Sequence, residues 1–175
     1  MLETPDAATL SALGNTRILK RILSALAILL IVGQFIRPAR TAEPVDPTDD
    51  LIAETKPPAD VEHLLRVGCY DCHSGQPRYP WYANISPVNW WLQHHIDEGR
   101  EHFDVSRWGS VPSDKRAHWA EEAIEMVKEG EMPLDSYTWT HADARLTQDQ
   151  RAALTAFFQP YLTGEEEHHG AEEQH

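Results

Sequence analysis

The short stretch Cys69-Tyr70-Asp71-Cys72-His73 constrains the fold of this chain more than any other, because it has the form C-x-x-C-H. That form is the attachment signature for c-type haem. Two thiols three positions apart lie on one face of a helical turn, so both reach the edge of the same flat macrocycle. The histidine after the second cysteine is then carried beneath the ring, where its imidazole can ligate the iron. We therefore predict one covalently attached haem c, with Cys69 and Cys72 as thioether anchors and His73 as the proximal iron ligand.

Three other kinds of site also use a close pair of cysteines. A structural disulfide across three residues closes only a small loop, so its cross-linking entropy is small. A thioredoxin-like dithiol uses C-x-x-C in a βαβ context, and no convincing strand pattern is present. A structural zinc site normally needs four ligands, and the chain has no second pair of cysteines. These three alternatives stay open, and haem attachment is the interpretation that the motif favours.

The helices nearest the motif are predicted from apolar spacing and end signals. Val61, Leu64 and Leu65 lie on one face of a short helix, capped by Asp60, that leads into the motif. Ser86-Pro87 is a typical helix opening, and we expect that second helix to run to about Glu98, where Gly99 stops it.

Two more helices follow downstream. Ser113 is expected to cap a helix that runs to about Glu129 and is closed by Gly130, with apolar residues at the 3,4 spacing of one face. Thr147 and Gln150 form a capping box for the last helix, which we expect to reach about Leu162. The fold class predicted is therefore all-α: a small helical domain wrapped around the haem, with an N-terminal transmembrane anchor helix.

Met132 is the candidate for the second axial ligand of the iron. It lies in the stretch Glu131-Met132-Pro133-Leu134, a turn directly after a predicted helix. A thioether is a soft, neutral ligand that favours ferrous iron and raises the reduction potential. The alternatives are that Met132 only fills a gap in the core, or that His141 in the same loop is the ligand.

Two further residues are candidates for contacts with the haem. Arg78 and Trp81 lie in an aromatic, proline-containing loop after the motif, which is suited to cover a porphyrin edge. Arg78 would pair with a haem propionate, or else be an ordinary exposed arginine. Either His94 or His95 could approach the iron, although most histidines on helices are surface residues and we interpret these two in the same way.

The N-terminal region has the pattern of a membrane anchor. Residues 1–21 form a cytoplasmic segment, and residues 22–37 an apolar run that we interpret as a transmembrane signal anchor. A removed signal peptide and a buried core helix are the alternatives. Thioether attachment takes place on the oxidising side, so we expect a single-pass protein of a bacterial inner membrane with its haem domain in the periplasm.

The remaining boundaries follow from composition and charge. Residues 38–58 are rich in proline and acidic residues and predict a linker, residues 59–162 the haem domain, and residues 163–175 a disordered acidic tail. His168 and His169 in that tail are interpreted as solvated. The net charge of −13 argues against nucleic acid as a partner, because phosphate binding needs clustered lysine and arginine.

Six stretches occur in a recognisable order along the chain: Gln34-Phe35-Ile36-Arg37-Pro38, Cys69 to Ser74, Tyr79-Pro80-Trp81-Tyr82, Pro87-Val88, Asp97-Glu98-Gly99-Arg100 and Gly130-Glu131-Met132-Pro133. With the predicted helices, this order resembles a small class I-like cytochrome c, which implies a cytochrome c-like helical domain. It resembles more closely the haem-binding domain family of membrane-anchored bacterial proteins. The resemblance covers most of residues 30–162 and implies covalent haem and electron transfer. The redox partner of that family is poorly defined, so the resemblance does not supply a reaction.

The sequence thus favours an electron carrier over an enzyme. With His73 and Met132 on both axial positions, the iron would change redox state without binding a substrate. One alternative is a haem-based sensor or peroxidase-type enzyme with an open distal site. Another is a non-haem thiol oxidoreductase that uses Cys69 and Cys72 themselves.

Overall fold

The computed structural model describes residues 7–163, with side chains from residue 16 onward. Within that part of the chain every regular element is helical and no strand occurs, which confirms the all-α fold class. The chain divides into two units: residues 7–39 with Pro80–Gln93 form one, and Arg40–Tyr79 with residues 94–163 form the other. The predicted acidic tail, His168 and His169 included, lies outside the described residues except for Thr163.

The first unit contains helix α1 (Ala7–Gly33), a 3₁₀ turn (Trp81–Asn84) and the start of helix α5 (Val88–His102). The side-chain amide of Gln34 pairs with the backbone of Ser86, since its Nε2 donates to the Ser86 carbonyl at 3.1 Å and its Oε1 accepts from the Ser86 amide at 3.0 Å. The segment after α1 is therefore held to the segment that opens α5.

The predicted transmembrane anchor over residues 22–37 is not supported. Among the described residues, no helix combines the length and the hydrophobicity that a membrane span requires. Helix α1 ends at Gly33, so the last residues of the predicted apolar run lie outside it.

The second unit holds the C-x-x-C-H motif and the main core. Helix α6 (Ser113–Glu129) packs against α8 (Gln148–Phe158) and the last 3₁₀ helix (Gln159–Thr163), and α3 (Ala59–Gly68) also packs against α8. Phe103, Trp108, Trp119 and Phe158 form a buried aromatic cluster at the centre of this core. Besides the end of α5, the α-helices of this unit are α2 (Leu51–Thr55), α3 (Ala59–Gly68), α4 (Tyr70–His73), α6 (Ser113–Glu129), α7 (Asp135–Thr138) and α8 (Gln148–Phe158).

Most helix boundaries agree with the end signals in the sequence. Helix α6 spans Ser113–Glu129 as predicted, and Gly130 closes it with a φ of 82°. The capping box at the start of α8 is formed, with Thr147 and Gln150 each bonding the other's backbone amide. The predicted helix to Leu162 continues past Phe158 as a 3₁₀ helix, Gln159–Thr163. Asp60 is not the cap of α3, because the helix begins at Ala59 behind Pro58.

Two stretches differ from what the sequence predicts. Gly99 does not stop α5, which continues to His102. The stretch predicted as a linker contains helix α2, whose Leu51 is 0% exposed within the core cluster. Asp50 caps α2 by accepting from the amides of Ile52 and Ala53. A single apolar turn among prolines and acids gives little periodicity, so the sequence pattern did not reveal it.

Candidate functional site

A cavity of about 510 Å³ lies in the second unit, next to the C-x-x-C-H motif. Its surface is mainly apolar, and its volume is in the range that holds cofactor-sized ligands. Cys69, Cys72, His73 and Met132 all line it. The structure therefore brings together the four residues predicted to hold a haem. Cys69, Cys72 and His73 lie at the start of α4 and within it, whereas Met132 lies on the loop after α6.

The motif itself forms one helical turn that presents both thiols to the cavity. The amide of Cys69 closes α3 by donating to the Leu65 carbonyl at 2.9 Å, and the amide of His73 donates back to the Cys69 carbonyl at 2.9 Å. Both cysteines are free thiols. The structure therefore does not contain the disulfide that was one of the alternatives.

The imidazole of His73 is oriented by two backbone carbonyls. Its Nδ1 lies 2.9 Å from the carbonyl oxygen of Gly99 and 2.9 Å from that of Phe103. Carbonyl oxygens only accept hydrogen bonds, so Nδ1 carries the proton and Nε2 keeps its lone pair. Burial lowers the pKa of His73, which keeps the ring neutral. A neutral imidazole with a free nitrogen is the form that binds a metal.

Gly99 lies against the ring of His73. A Cβ atom at position 99 would lie 3.3 Å from Cε1 of His73, which is closer than the ordinary carbon–carbon separation of about 3.5–4.0 Å. Its distance of 3.5 Å from Nδ1 would be an ordinary contact. The glycine therefore allows α5 to pack closely against the His73 ring.

The two residues between the cysteines anchor the motif to different elements. The hydroxyl of Tyr70 donates to Oδ1 of Asp50 at 2.7 Å, which ties the motif to the start of α2. Asp71 accepts from the Tyr137 hydroxyl at 2.9 Å and from Nε of Arg78 at 3.0 Å. Burial and the nearby Asp50 raise the pKa of Tyr70, so its hydroxyl keeps the proton that it donates.

The structure describes the surroundings of the two residues predicted as haem contacts in the aromatic loop. Arg78 pairs with Asp71, its side chain is 80% exposed, and it does not line the cavity. Trp81 belongs to the first unit and is 73% exposed. Contacts of these two residues with a haem stay predictions.

The rival ligands lie at different places around the site. His141 stacks on Tyr137 with ring centroids 3.9 Å apart, and it does not line the cavity. His95 does line it, whereas the neighbouring His94 pairs with Glu98 at 3.3 Å. A second thioether, that of Met126 on α6, also lines the cavity. The apolar spacing of α6 alone does not identify Met126 as a residue of the cavity.

The surroundings of the thiols disfavour the two non-haem alternatives. Burial raises the pKa of Cys69 to about 12 and that of Cys72 to about 11. Reactive dithiols have lowered pKa values instead. Among the described residues, no group of three or more histidine, cysteine, aspartate and glutamate side chains is arranged to hold a metal ion. A zinc site therefore has no support from this geometry.

The comparison with protein families agrees with the geometry of the cavity. Residues 28–160 match the family model described as the haem-binding domain, which is more than half of the 175-residue chain. The chain belongs to the haem-binding domain family. Comparisons with curated proteins and with solved structures found no match. The residues that line the cavity of this haem-binding domain fit a haem, since they offer two thiols, a neutral imidazole and thioether sulfurs on a mainly apolar surface.

Proposed function

We propose that this haem-binding domain is a c-type electron-transfer protein that holds one covalent haem. The observation that carries the proposal is the convergence of Cys69, Cys72, His73 and Met132 on one cavity. Cys69 and Cys72 would form the thioethers, His73 would be the proximal ligand and Met132 the distal one. When bound, the haem supplies an iron centre that accepts and returns one electron.

The protein itself contributes the orientation of the proposed iron ligands. The carbonyls of Gly99 and Phe103 hold the His73 ring in one tautomer and keep Nε2 available. A carbonyl that accepts from the far nitrogen of a ligating histidine also raises the basicity of the ligand. Met132 offers a neutral sulfur that favours the ferrous state. If His73 and Met132 filled both axial positions of the iron, no position would be left there for a substrate, and we therefore propose a carrier and not an enzyme.

Location and partner follow from the same chemistry. Thioether attachment takes place on the oxidising side of the membrane, so we propose that the domain works in the extracytoplasmic space. A carrier exchanges electrons with other redox proteins, and we propose such a protein as its partner.

The test of this proposal is the covalent attachment. The full chain is produced together with c-haem maturation machinery, denatured, and measured by haem staining on a gel and by intact mass. We expect the mass of the chain plus one haem, and a stain that persists after denaturation.

The matched variants are the double replacement Cys69→Ser with Cys72→Ser, and the replacement Met126→Leu. The double variant should lose the stain and the added mass, whereas Met126→Leu should keep both. A folded parent chain without covalent haem would overturn the proposal and favour the dithiol alternative.

A further inference from the structure

Arg151 on α8 contacts the backbone of the segment that carries the proposed distal ligand. Its Nη1 donates to the carbonyl of Met132 at 2.9 Å and to the carbonyl of Val127 at 2.9 Å. This nitrogen has two hydrogens, so each carbonyl accepts one of them. A half-buried guanidinium thus joins the end of α6 to the loop behind it.

The same segment is held at its other backbone atoms. The amide of Met132 donates to the carbonyl of Met126 at 3.1 Å. Gly130, with a φ of 82°, allows the chain to turn back over the last turn of α6. Met126 and Val127 lie in that last turn, whose carbonyls have no partner within the helix. Both the N–H and the C=O of Met132 are therefore bonded.

Pro133, the residue after Met132, packs against the end of α3, directly before the C-x-x-C-H motif. A Cβ atom at Gly68 would lie 3.3 Å from Cγ of Pro133, so Pro133 packs closely over the residue that precedes Cys69. One side of the segment thus rests on the end of α3. The other side is held by Arg151 through the carbonyl of Met132.

We propose, on the basis of the axial role proposed above for Met132, that Arg151 is a positioning residue for the distal ligand. A methionine side chain has three rotatable bonds, so it binds iron strongly only when its backbone is fixed at the right distance. The two hydrogen bonds of Arg151 fix that backbone. Without them the thioether competes less well with ligands from solution for the distal position.

The experiment measures imidazole binding to the ferric, haem-loaded full chain by absorption titration. The variants are Arg151→Met and Arg151→Lys. Two controls separate the other effects of the side chain. Lys128→Met removes a positive charge from the same end of α6, and Thr147→Ala removes the cap of α8 without altering either hydrogen bond to a carbonyl.

We expect Arg151→Met to bind imidazole about tenfold more tightly, because charge-assisted hydrogen bonds to the Met132 segment are lost. Arg151→Lys should show a smaller increase, since one ammonium replaces the planar fork. Both controls should keep the affinity of the parent, although Thr147→Ala lowers the thermal midpoint. Hydrogen exchange at the backbone amides of Glu131, Met132 and Leu134 should speed up in Arg151→Met alone.

The outcomes distinguish a failure of the role proposed for Arg151 from a failure of the axial role proposed for Met132. If both Arg151 variants keep the parent's imidazole affinity while their thermal midpoint falls as in Thr147→Ala, Arg151 only caps α6 and the inference is wrong. If Arg151→Met does not fold, an unchanged affinity in Arg151→Lys has the same meaning. If the parent lacks the ferric methionine–iron charge-transfer band, the axial role of Met132 itself fails.

Discussion

Replacing each of the two cavity methionines by leucine separates the role of the sulfur from that of packing. Met132→Leu and Met126→Leu make the same chemical change on the same cavity. Leucine has nearly the volume of methionine but no sulfur, so the exchange removes the ligand and keeps most of the contacts. Only Met132→Leu should remove an iron ligand.

The loss of stability and the change in reduction potential are expected to have separate sizes. Met132 is partly buried against the core cluster, and a volume-conserving exchange at such a position costs less than about 1.5 kcal/mol. In a domain of this size that lowers the thermal midpoint by at most roughly 12 °C. The effect on the potential is separate: each tenfold preference of the thioether for ferrous over ferric iron is worth about 59 mV in a one-electron couple.

The assay is a redox titration of both holoprotein variants, followed by exposure of the ferrous forms to carbon monoxide. We expect Met132→Leu to remain folded with haem attached, to have a lower reduction potential and to bind carbon monoxide. Met126→Leu should behave as the parent does. If Met132→Leu keeps the parent's potential and its resistance to carbon monoxide while Met126→Leu loses them, the ligand is Met126 and our assignment is wrong.

Three further predictions concern the surroundings of the site. Leu51→Ala should destabilise the haem-loaded protein by about 2–5 kcal/mol in denaturant unfolding, because this side chain is fully buried; a loss under 0.5 kcal/mol would mean that α2 is not part of the core. Gly99→Ala should shift the NMR signal of the His73 Nδ1 proton in the ferrous protein, since the new Cβ lies 3.3 Å from the ring. An unchanged signal would refute that contact. Tyr70→Phe should lower the free energy of unfolding by about 1.5 kcal/mol through loss of the hydrogen bond to Asp50, and an unchanged free energy would show that this bond does not hold the motif.

The sequence predicted those parts of the fold that rest on local signals. Helix α6 has apolar residues at the 3,4 spacing and a glycine behind it, so both of its ends were predictable. The capping box of α8 is likewise a signal within four residues. Gly99 misled the same reasoning, because it lies inside α5 and packs against the ring of His73, which is 26 residues away in the chain.

The candidate site was predictable only where side chains carry the chemistry. Cys69, Cys72 and His73 follow from a motif, and Met132 from its place after a helix. The carbonyls that orient His73 belong to the backbone of Gly99 and Phe103, and no side-chain pattern reveals them.

Tertiary contacts account for the rest of what the sequence did not show. Arg151 lies nineteen residues from Met132, and only the packing of α8 beside α6 brings the two together. Leu51 was hidden for the same reason, because its burial depends on the core around α2 and not on its neighbours in the sequence.

Absorption spectra of the haem-loaded full chain, ferric and ferrous, with and without carbon monoxide, test whether His73 and Met132 occupy both axial positions. Our account predicts a low-spin ferrous spectrum that carbon monoxide does not change, and a ferric charge-transfer band from methionine sulfur. A high-spin spectrum that shifts with carbon monoxide would contradict it, and would point to an open distal site with sensor or peroxidase chemistry.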